Sequence, residues 1–317
     1  AISKSRKSLL LGTSALVCLA LATPVMAADF TITSGTTTND GNTVNGNDTV
    51  AVTGALVTTG ANYGIETTGG TNTVSVAEAG SIDTAGGGAY GIFNNGDSNV
   101  TTVSGSITTK DNSANGIFNS GNNNETTVSG SIKTAGGAAW GIFNNGDSNV
   151  TTVSGSIKTA GGGAYGIQIS GDNNITTVSG SIETAGNAAN GILQIGDDNA
   201  TTISGTVSAT GTDASALMNI TGSGNSFTLD EGAVIIGDIT ALAAATNSKL
   251  KFNLGQGASY AYSVGGGGAG TGAGQWTFTE QDGRTPIVTT GGTNCRATGV
   301  TVCNLVTGVS TGNLEVQ

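Results

Sequence analysis

Aspartates that recur at one position of a 25-residue repeat are the side chains of this sequence best suited to bind a metal ion. They are Asp97, Asp147, Asp172 and Asp197, and Asn122 fills the remaining repeat position. If successive repeats stack as parallel strands, these side chains lie about 4.8 Å apart. A hard cation such as Ca²⁺ takes oxygen ligands and would relieve the repulsion between stacked carboxylates. Asp147, Asp172 and Asp197 are therefore candidate calcium ligands.

The same aspartates have a simpler explanation in turn formation. They lie in Gly-, Asn- and Ser-rich segments between apolar runs, where short polar side chains stabilise turns. The Gly-Gly-x-Gly-x-Asp nonapeptide of calcium-binding β-rolls does not recur with the repeat. We therefore expect turn chemistry to account for this column. We expect no cofactor, and a calcium-binding solenoid is the alternative.

The sequence offers little for enzymatic catalysis. Histidine is absent, so there is no imidazole base and no histidine metal ligand. A Gly-x-Ser-x-Gly nucleophile elbow with a histidine partner is also missing. Solenoid lyases and hydrolases that act on carbohydrate need paired carboxylates, or a basic side chain beside a metal, within a cleft. No insertion between repeats is long enough to wall such a cleft, so we expect a non-enzymatic protein, with a carbohydrate-active enzyme as the alternative.

Three aromatic residues at a second repeat position could contact sugars. Tyr90, Trp140 and Tyr165 share this position with Asn115 and Asn190, and together they could form an exposed stripe on which sugar rings stack. The alternative is that they pack in a thin core against the phenylalanines of the same repeats. Those phenylalanines are Phe93, Phe118 and Phe143.

A repeated phrase places all of these residues. At residues 91–107 it reads GIFNNGDSNVTTVSGSI, and it returns from Gly116, Gly141, Gly166 and Gly191. A fixed period of this size is typical of repeat architectures, in which each unit buries its apolar face against its neighbours. The residues that follow the Asn-Gly segment alternate between apolar and polar types, as in an extended strand. The sequence predicts an all-β, right-handed parallel β-helix with about 25 residues per coil.

Three apolar columns are predicted to fill the centre of this solenoid, because each keeps a β-branched aliphatic residue in successive repeats. Such columns face inward when equivalent strands pair one coil apart. The first column is Val103, Val128, Val153, Val178 and Ile203; the second is Ile107, Ile132, Ile157 and Ile182; the third is Ile92, Ile117, Ile142, Ile167 and Ile192.

The charge distribution argues against nucleic acid as a partner. From residue 28 onward the chain has 7 basic and 21 acidic residues, a net charge of −14. Such a surface repels phosphate backbones and anionic lipid, and no basic cluster offsets it.

Residues 1–27 have the composition of a secretory signal peptide. Lys4, Arg6 and Lys7 precede an apolar run at Leu9–Ala22, and small residues follow up to a cleavage position after Ala27. Residues 28–62 are expected to form an N-terminal cap and irregular coils, and residues 63–239 the repeat array. Residues 240–317 are expected to form C-terminal β-rich coils with a Gly-rich loop, where a linker to a barrel could start.

Two cysteines near the C-terminus, Cys295 and Cys303, are predicted to form a disulfide. They are separated by a short segment, and an export signal directs the chain to an oxidising compartment, where disulfides persist. Two unpaired thiols are the alternative.

The chain resembles the passenger domains of Gram-negative autotransporters, proteins of type V secretion. An export signal, Tyr-Gly-Ile and Val-Ser-Gly-Ser-Ile phrases, and the segment from Phe227 to Ile239 carry the resemblance. It implies a β-helical stalk or adhesin that an outer-membrane barrel in the same polypeptide carries to the cell surface, where it binds a host-surface or glycan ligand. The barrel is not in this sequence, so we expect the gene to continue. As this fragment alone, the protein is expected in the periplasm.

Overall fold

The computed structural model describes residues 30–33, 36–38, 42–242, 244–253, 259–266, 277–280, 287–290, 293–296, 301–302 and 310–315. Side-chain environments are described for residues 31–33, 43–242, 244–251 and 253. Strands and turns make up the described residues, and no helix occurs among them. The chain forms a β-solenoid of about eight turns with about 25 residues per turn. The predicted all-β parallel solenoid is therefore confirmed.

Each turn of the solenoid contributes three short strands, because apolar-polar alternation resumes three times between Gly- or Asn-containing turns. The first half of the chain contains β1 (Phe30–Ile32), β2 (Thr36–Thr38), β3 (Asn42–Asn45), β4 (Thr49–Val52), β5 (Ala55–Thr58), β6 (Ile65–Thr68), β7 (Thr73–Val76), β8 (Ser81–Thr84), β9 (Ile92–Asn95), β10 (Val100–Val103), β11 (Ser106–Thr109), β12 (Ile117–Ser120), β13 (Glu125–Val128), β14 (Ser131–Thr134), β15 (Ile142–Asn145) and β16 (Val150–Val153).

The second half continues the same order as far as the end of the repeat. It contains β17 (Ser156–Thr159), β18 (Ile167–Ser170), β19 (Ile175–Val178), β20 (Ser181–Thr184), β21 (Ile192–Ile195), β22 (Ala200–Ile203), β23 (Thr206–Ala209), β24 (Ser215–Asn219), β25 (Gly222–Ser223), β26 (Ser226–Asp230), β27 (Val234–Ile236), β28 (Asp238–Ala241), β29 (Ala245–Thr246), β30 (Lys249–Asn253), β31 (Ser259–Gly266), β32 (Thr277–Glu280), β33 (Ile287–Thr290), β34 (Thr293–Arg296), β35 (Thr301–Val302) and β36 (Ser310–Glu315).

Three long sheets run along the solenoid. Sheet A has the strand order β1-β4-β7-β10-β13-β16-β19-β22-β26-β30-β32-β35. Sheet B has the order β2-β5-β8-β11-β14-β17-β20-β23-β27, and sheet C the order β3-β6-β9-β12-β15-β18-β21-β24-β28-β31-β36-β33-β34. Pairing in the repeats is parallel and joins residues one repeat apart, as in Thr101 with Thr126. Towards the C-terminus β31, β32 and β33 form antiparallel pairs with later strands.

The centre of the solenoid is apolar and closely packed. All three predicted apolar columns point inward, and each of their members is 1% exposed or less. Sheet A supplies the valine column, sheet B the column that contains Ile107, and sheet C the column that contains Ile92. Strand alternation explains this placement, because every second side chain of a strand points to the same face.

Polar ladders also run through the interior. Asn94, Asn119 and Asn144 point inward from sheet C, and each donates from Nδ2 to a threonine Oγ1 of sheet A at 2.9–3.0 Å. Asn94 and Asn119 also donate to the next amide oxygen of the column, at 2.7 Å. These bonds satisfy amides that would otherwise be costly to bury.

A second amide ladder lies at the turn before sheet A. The backbone N–H of each asparagine from Asn72 to Asn199 donates to the side-chain Oδ1 of the asparagine in the next coil, at 2.8–3.0 Å. The side chains are buried, so the ladder fixes the spacing of successive turns from inside. Its members are Asn72, Asn99, Asn124, Asn149, Asn174, Asn199 and Asn225.

Glycine is required at the corner between sheets A and B. A Cβ built on Gly155 would lie 2.0 Å from the carbonyl oxygen of Gly130, far inside van der Waals contact. The close approach of successive coils therefore excludes any side chain at this corner.

Candidate functional site

A stripe of seven aromatic side chains lies on the outer face of the solenoid, along sheet C. Phe93, Phe118 and Phe143 occupy the outward positions of β9, β12 and β15, because the isoleucine before each of them points inward. These three phenylalanines form the first row. The other four aromatic side chains form a second row, at positions just before the sheet C strands. All seven side chains are half-buried. The members of this aromatic stripe are Tyr63, Tyr90, Phe93, Phe118, Trp140, Phe143 and Tyr165.

The rings of the stripe form one continuous surface. Phe118 stacks between Phe93 and Phe143, with centroid distances of 5.1 and 4.8 Å. Trp140 is stacked with Tyr165 at 6.0 Å and meets Phe143 edge to face at 4.6 Å, with an interplanar angle of 74°. Offset stacks and edge-to-face pairs are the favourable arrangements of aromatic rings. The rings therefore hold one another in place along several coils.

Hydrogen bonds fix the position of Trp140 within the stripe. Its indole Nε1 donates to the carbonyl oxygen of Gly163 at 3.0 Å, and its backbone N–H donates to Oδ1 of Asn115 at 2.8 Å. Asn115, which occupies the same repeat position one coil earlier, is buried. Trp140 is thus a partly exposed ring on a preorganised backbone.

Tyr90 and Tyr63 form the other end of the second row. Their rings stack at 5.0 Å with an interplanar angle of 5°. Burial, with a smaller contribution from the neighbouring Tyr63, raises the pKa of Tyr90 above its ordinary value of 10.0. The phenol of Tyr90 is therefore a neutral hydrogen-bonding group near neutral pH.

Neutral polar side chains run beside the phenylalanine row. Two residues after each phenylalanine, and two after Gln168 in the following coil, sheet C presents an outward amide or hydroxyl group. Parallel pairing aligns these groups in register, as it aligns the rings. This row consists of Asn95, Ser120, Asn145 and Ser170.

The structure agrees in part with each of the two interpretations of Tyr90, Trp140 and Tyr165, as an exposed stripe or as residues packed against phenylalanines. Tyr90 and Trp140 do pack against phenylalanines, as the packing interpretation predicted. Its placement of them in a thin core is wrong, because Phe93 and its equivalents point outward on sheet C. Tyr63, which sequence reasoning did not include, extends the stripe by one coil, because Gly64 pairs with the segment around Gly91.

A shallow groove follows the corner between sheets A and B on another side of the solenoid. It encloses about 640 Å³ and is lined by Gly105, Gly130 and their equivalents, by serines on either side, and by Glu78. Glu78 is the only carboxylate among its lining residues. The groove therefore offers hydroxyl and backbone hydrogen-bonding groups, and its lining lacks the carboxylate pair of a glycosidase.

The carboxylates of the aspartate column accept hydrogen bonds from the turns of the following coils. Oδ1 of Asp147 accepts a hydrogen bond from the backbone N–H of Asp172 at 2.8 Å, and Asp172 in turn accepts from Asp197 at 2.7 Å. Asp97 and Asn122 make the same contact with the coil that follows each of them. Among the described residues, no group of three or more His, Cys, Asp or Glu side chains is arranged to hold a metal. Calcium binding by Asp147, Asp172 and Asp197 stays the alternative to the turn interpretation, and it is untested.

The remaining sequence-based assignments fall partly outside the described residues. Cys303 and the signal segment 1–27 lie there, so the disulfide and the export signal stay predictions. Cys295 lies in β34. Across the described part of the chain, no helix has the length and apolar character needed to span a membrane.

Comparison with known proteins supplies no relative for this chain. No family model, curated protein or solved structure matches it.

Proposed function

We propose that the protein is an exported, non-enzymatic β-solenoid of the autotransporter passenger type, which acts as a stalk and adhesin at the surface of a Gram-negative cell. Its partner in this proposal is an outer-membrane barrel in the same polypeptide. The observation that carries it is the continuous parallel pairing of sheets A and C from β4 to β26, which joins the repeats into one unbroken spacer. Eight turns at about 4.8 Å per coil give a rod roughly 38 Å long.

The composition of the coils supports a role outside the cytoplasm. The sequence carries an N-terminal signal, and the acidic repeat surface has no basic patch for nucleic acid or anionic lipid. The described repeats are joined by short turns, which leaves the sides of the rod open to a ligand. A stalk that displays one lateral surface fits this arrangement.

Fusion to an autotransporter barrel tests the proposal. The fused solenoid should be cleaved by protease added outside whole cells, whereas the unfused chain should be processed near Ala27 and stay protected in the periplasm. The control is a folded periplasmic protein fused to the same barrel. If the solenoid fusion stays protected while the barrel inserts normally, the passenger assignment is wrong.

A further inference from the structure

We propose that removal of the signal peptide after Ala27 creates an ion pair in the first coils, between the new α-ammonium group of Ala28 and the buried carboxylate of Asp48. This inference rests on the export part of the proposed function and extends it, because it gives signal cleavage a structural role. It is drawn from the buried asparagine ladder at the turn before sheet A, from one oxygen atom of Asp48, and from the distribution of positive charge along the sequence.

Asp48 occupies the ladder position one coil before Asn72. Its backbone N–H donates to Oδ1 of Asn72 at 3.3 Å, in the same way that the N–H of Asn72 donates to Oδ1 of Asn99 at 3.0 Å. The seven ladder members that follow Asp48 are asparagines. An aspartate keeps the oxygen that accepts the ladder bond, but it replaces the amide donor with a second oxygen and adds a negative charge.

One oxygen of this carboxylate lacks a partner. Oδ2 accepts a hydrogen bond from the backbone N–H of Asn45 at 3.3 Å, whereas Oδ1 is buried and has no partner among the described residues. Asp48 is only 5% exposed. A buried carboxylate is costly unless a cation or strong donors compensate it. A positively charged N–H donor is therefore the group that fits this site.

The register of the ladder indicates where that donor comes from. At the later positions, Oδ1 accepts from the backbone nitrogen of the residue that is its register partner in the previous coil. Strand β1 lies on β4 in the same parallel register, with Phe30 paired to Val50. Continued two residues towards the N-terminus, this register assigns the nitrogen of residue 28 to Oδ1 of Asp48. Ala28 lies outside the described residues, and its position is what we infer.

No side chain near the start of the solenoid supplies a cation. The sequence has no lysine or arginine between Lys7 and Lys110, and Lys110 is paired with Asp83 at 2.7 Å. Hydrolysis of the bond between Ala27 and Ala28 consumes one water molecule, and the new carboxylate leaves with the signal peptide. The new amino group takes up a proton at neutral pH, because its ordinary pKa is about 8. It is then the only positive charge of the mature chain before Lys110.

The ion pair makes the first coil depend on cleavage. Charge-assisted hydrogen bonds are roughly twice as strong as neutral ones. Before cleavage, position 28 offers a neutral peptide N–H, so the negative charge of Asp48 stays uncompensated. After cleavage, the α-ammonium group supplies both the charge and the donor. Maturation is thereby coupled to the docking of β1 on β4.

Acylation of the purified mature chain, residues 28–317, tests the ion pair directly. The chain is made in the cytoplasm behind a fusion partner whose removal leaves Ala28 as the first residue. At neutral pH, an N-hydroxysuccinimide ester should acylate the Ala28 amine at least about tenfold more slowly in the unchanged chain than in Asp48→Asn, because an adjacent opposite charge holds an amine protonated. The variant should fold, since asparagine is the residue of the later ladder positions. Asp97→Asn, in the exposed aspartate column, is the matched control and should leave the rate unchanged.

Two modified chains test the charge and its position. Acetylation of the Ala28 amine leaves a neutral N–H at position 28, and so does a chain that begins at Ala27. Each change should speed hydrogen exchange of the β1 and β4 amides at least about fivefold, because a charge-assisted bond is replaced by a neutral one. Neither change should alter exchange in an Asp48→Asn background, so the two perturbations should be non-additive.

Three results would overturn the proposal: the Ala28 amine is acylated equally fast in the unchanged chain and in Asp48→Asn, acetylation leaves hydrogen exchange of the unchanged chain as it was, or acetylation has the same effect in both backgrounds. The assays use chains made without export. Their failure therefore leaves the passenger proposal standing, and failure of the protease test on whole cells leaves an ion pair measured on the purified chain standing.

Discussion

The hydroxyl of Thr176 provides the sharpest test of the hydrogen bonding inside the solenoid. In the neighbouring coils an inward amide of sheet C donates to the equivalent threonine, but in this coil the amide position holds Ile169. Oγ1 of Thr176 is buried and has no hydrogen-bond partner among the described residues. A buried hydroxyl without a partner costs about 1–3 kcal/mol. We expect Thr176→Val to raise the free energy of unfolding by about 1 kcal/mol.

Thr151→Val is the matched control, one coil earlier on the same sheet. Thr151 accepts a hydrogen bond from Nδ2 of Asn144 at 2.9 Å. The next side chain of the amide column, Ile169, offers Asn144 no oxygen in its place. Removal of the hydroxyl therefore leaves a buried amide without its acceptor. We expect Thr151→Val to lower the free energy of unfolding by about 1–3 kcal/mol.

Equilibrium urea denaturation followed by circular dichroism measures both changes. With equal slopes, the midpoint should rise for Thr176→Val and fall for Thr151→Val. Local unfolding is common in repeat proteins, so hydrogen exchange of the β19 amides provides a second readout of Thr176→Val. A midpoint for Thr176→Val at or below that of the unchanged chain would refute the reasoning, because the hydroxyl would then have a partner. An unchanged midpoint for Thr151→Val would refute the amide–threonine bond.

Four further expectations follow from the same geometry. Gly155→Ala should lower the free energy of unfolding by at least about 2 kcal/mol, since its Cβ would meet a carbonyl oxygen at 2.0 Å. Ile142→Asp should lower the free energy of unfolding by several kcal/mol because the carboxylate would be buried. Ser154→Asp, on the exposed corner, should lower it little. Equal denaturation midpoints of the two variants would contradict the inward position of Ile142. Addition of a chelator should leave the melting temperature unchanged if the aspartate column serves only the turns; a large drop would favour calcium. Burial, and to a smaller extent Tyr63, raise the pKa of Tyr90. The contribution of this phenol to stability should therefore be full below pH 10.0 and lost as the pH rises through the raised pKa. Spectroscopic titration should show a phenol ionisation above pH 10.0 that Tyr90→Phe removes.

The repeat period and strand alternation were sufficient to predict the solenoid. Columns such as the one containing Val103 keep one residue type every 25 residues, which parallel pairing alone explains. The sequence also predicts the outward position of Phe93, because Ile92 belongs to an inward column and neighbouring strand residues face opposite sides. The rule that large apolar residues are usually buried would place Phe93 in the core, and for this residue it is wrong.

The interior amides could not be predicted by the same reasoning. Asn94 follows an apolar pair and opens the Asn94-Asn95-Gly96 segment, so it resembles a turn residue in sequence. Its burial is tolerable only because Thr101 accepts its hydrogen bond from across the interior and Asn119 accepts another from the next coil. Those partners come from sheet packing, which the local pattern does not encode. The asparagine ladder at the turn did leave a signal, the unbroken recurrence of asparagine from Asn72 to Asn225.

The two side-chain ladders at the turn before sheet A point in opposite directions. In the buried ladder the N–H of Asn124 donates forward to Asn149, whereas in the exposed ladder the N–H of Asp147 donates backward to Asn122. A cut between any two coils therefore orphans a donor on each side. Loss of a whole coil, in contrast, lets the flanking coils rejoin with every donor and acceptor matched. Recombination between repeats can therefore lengthen or shorten the solenoid by whole coils, in steps of about 4.8 Å, with both turn ladders continuous across the new junction.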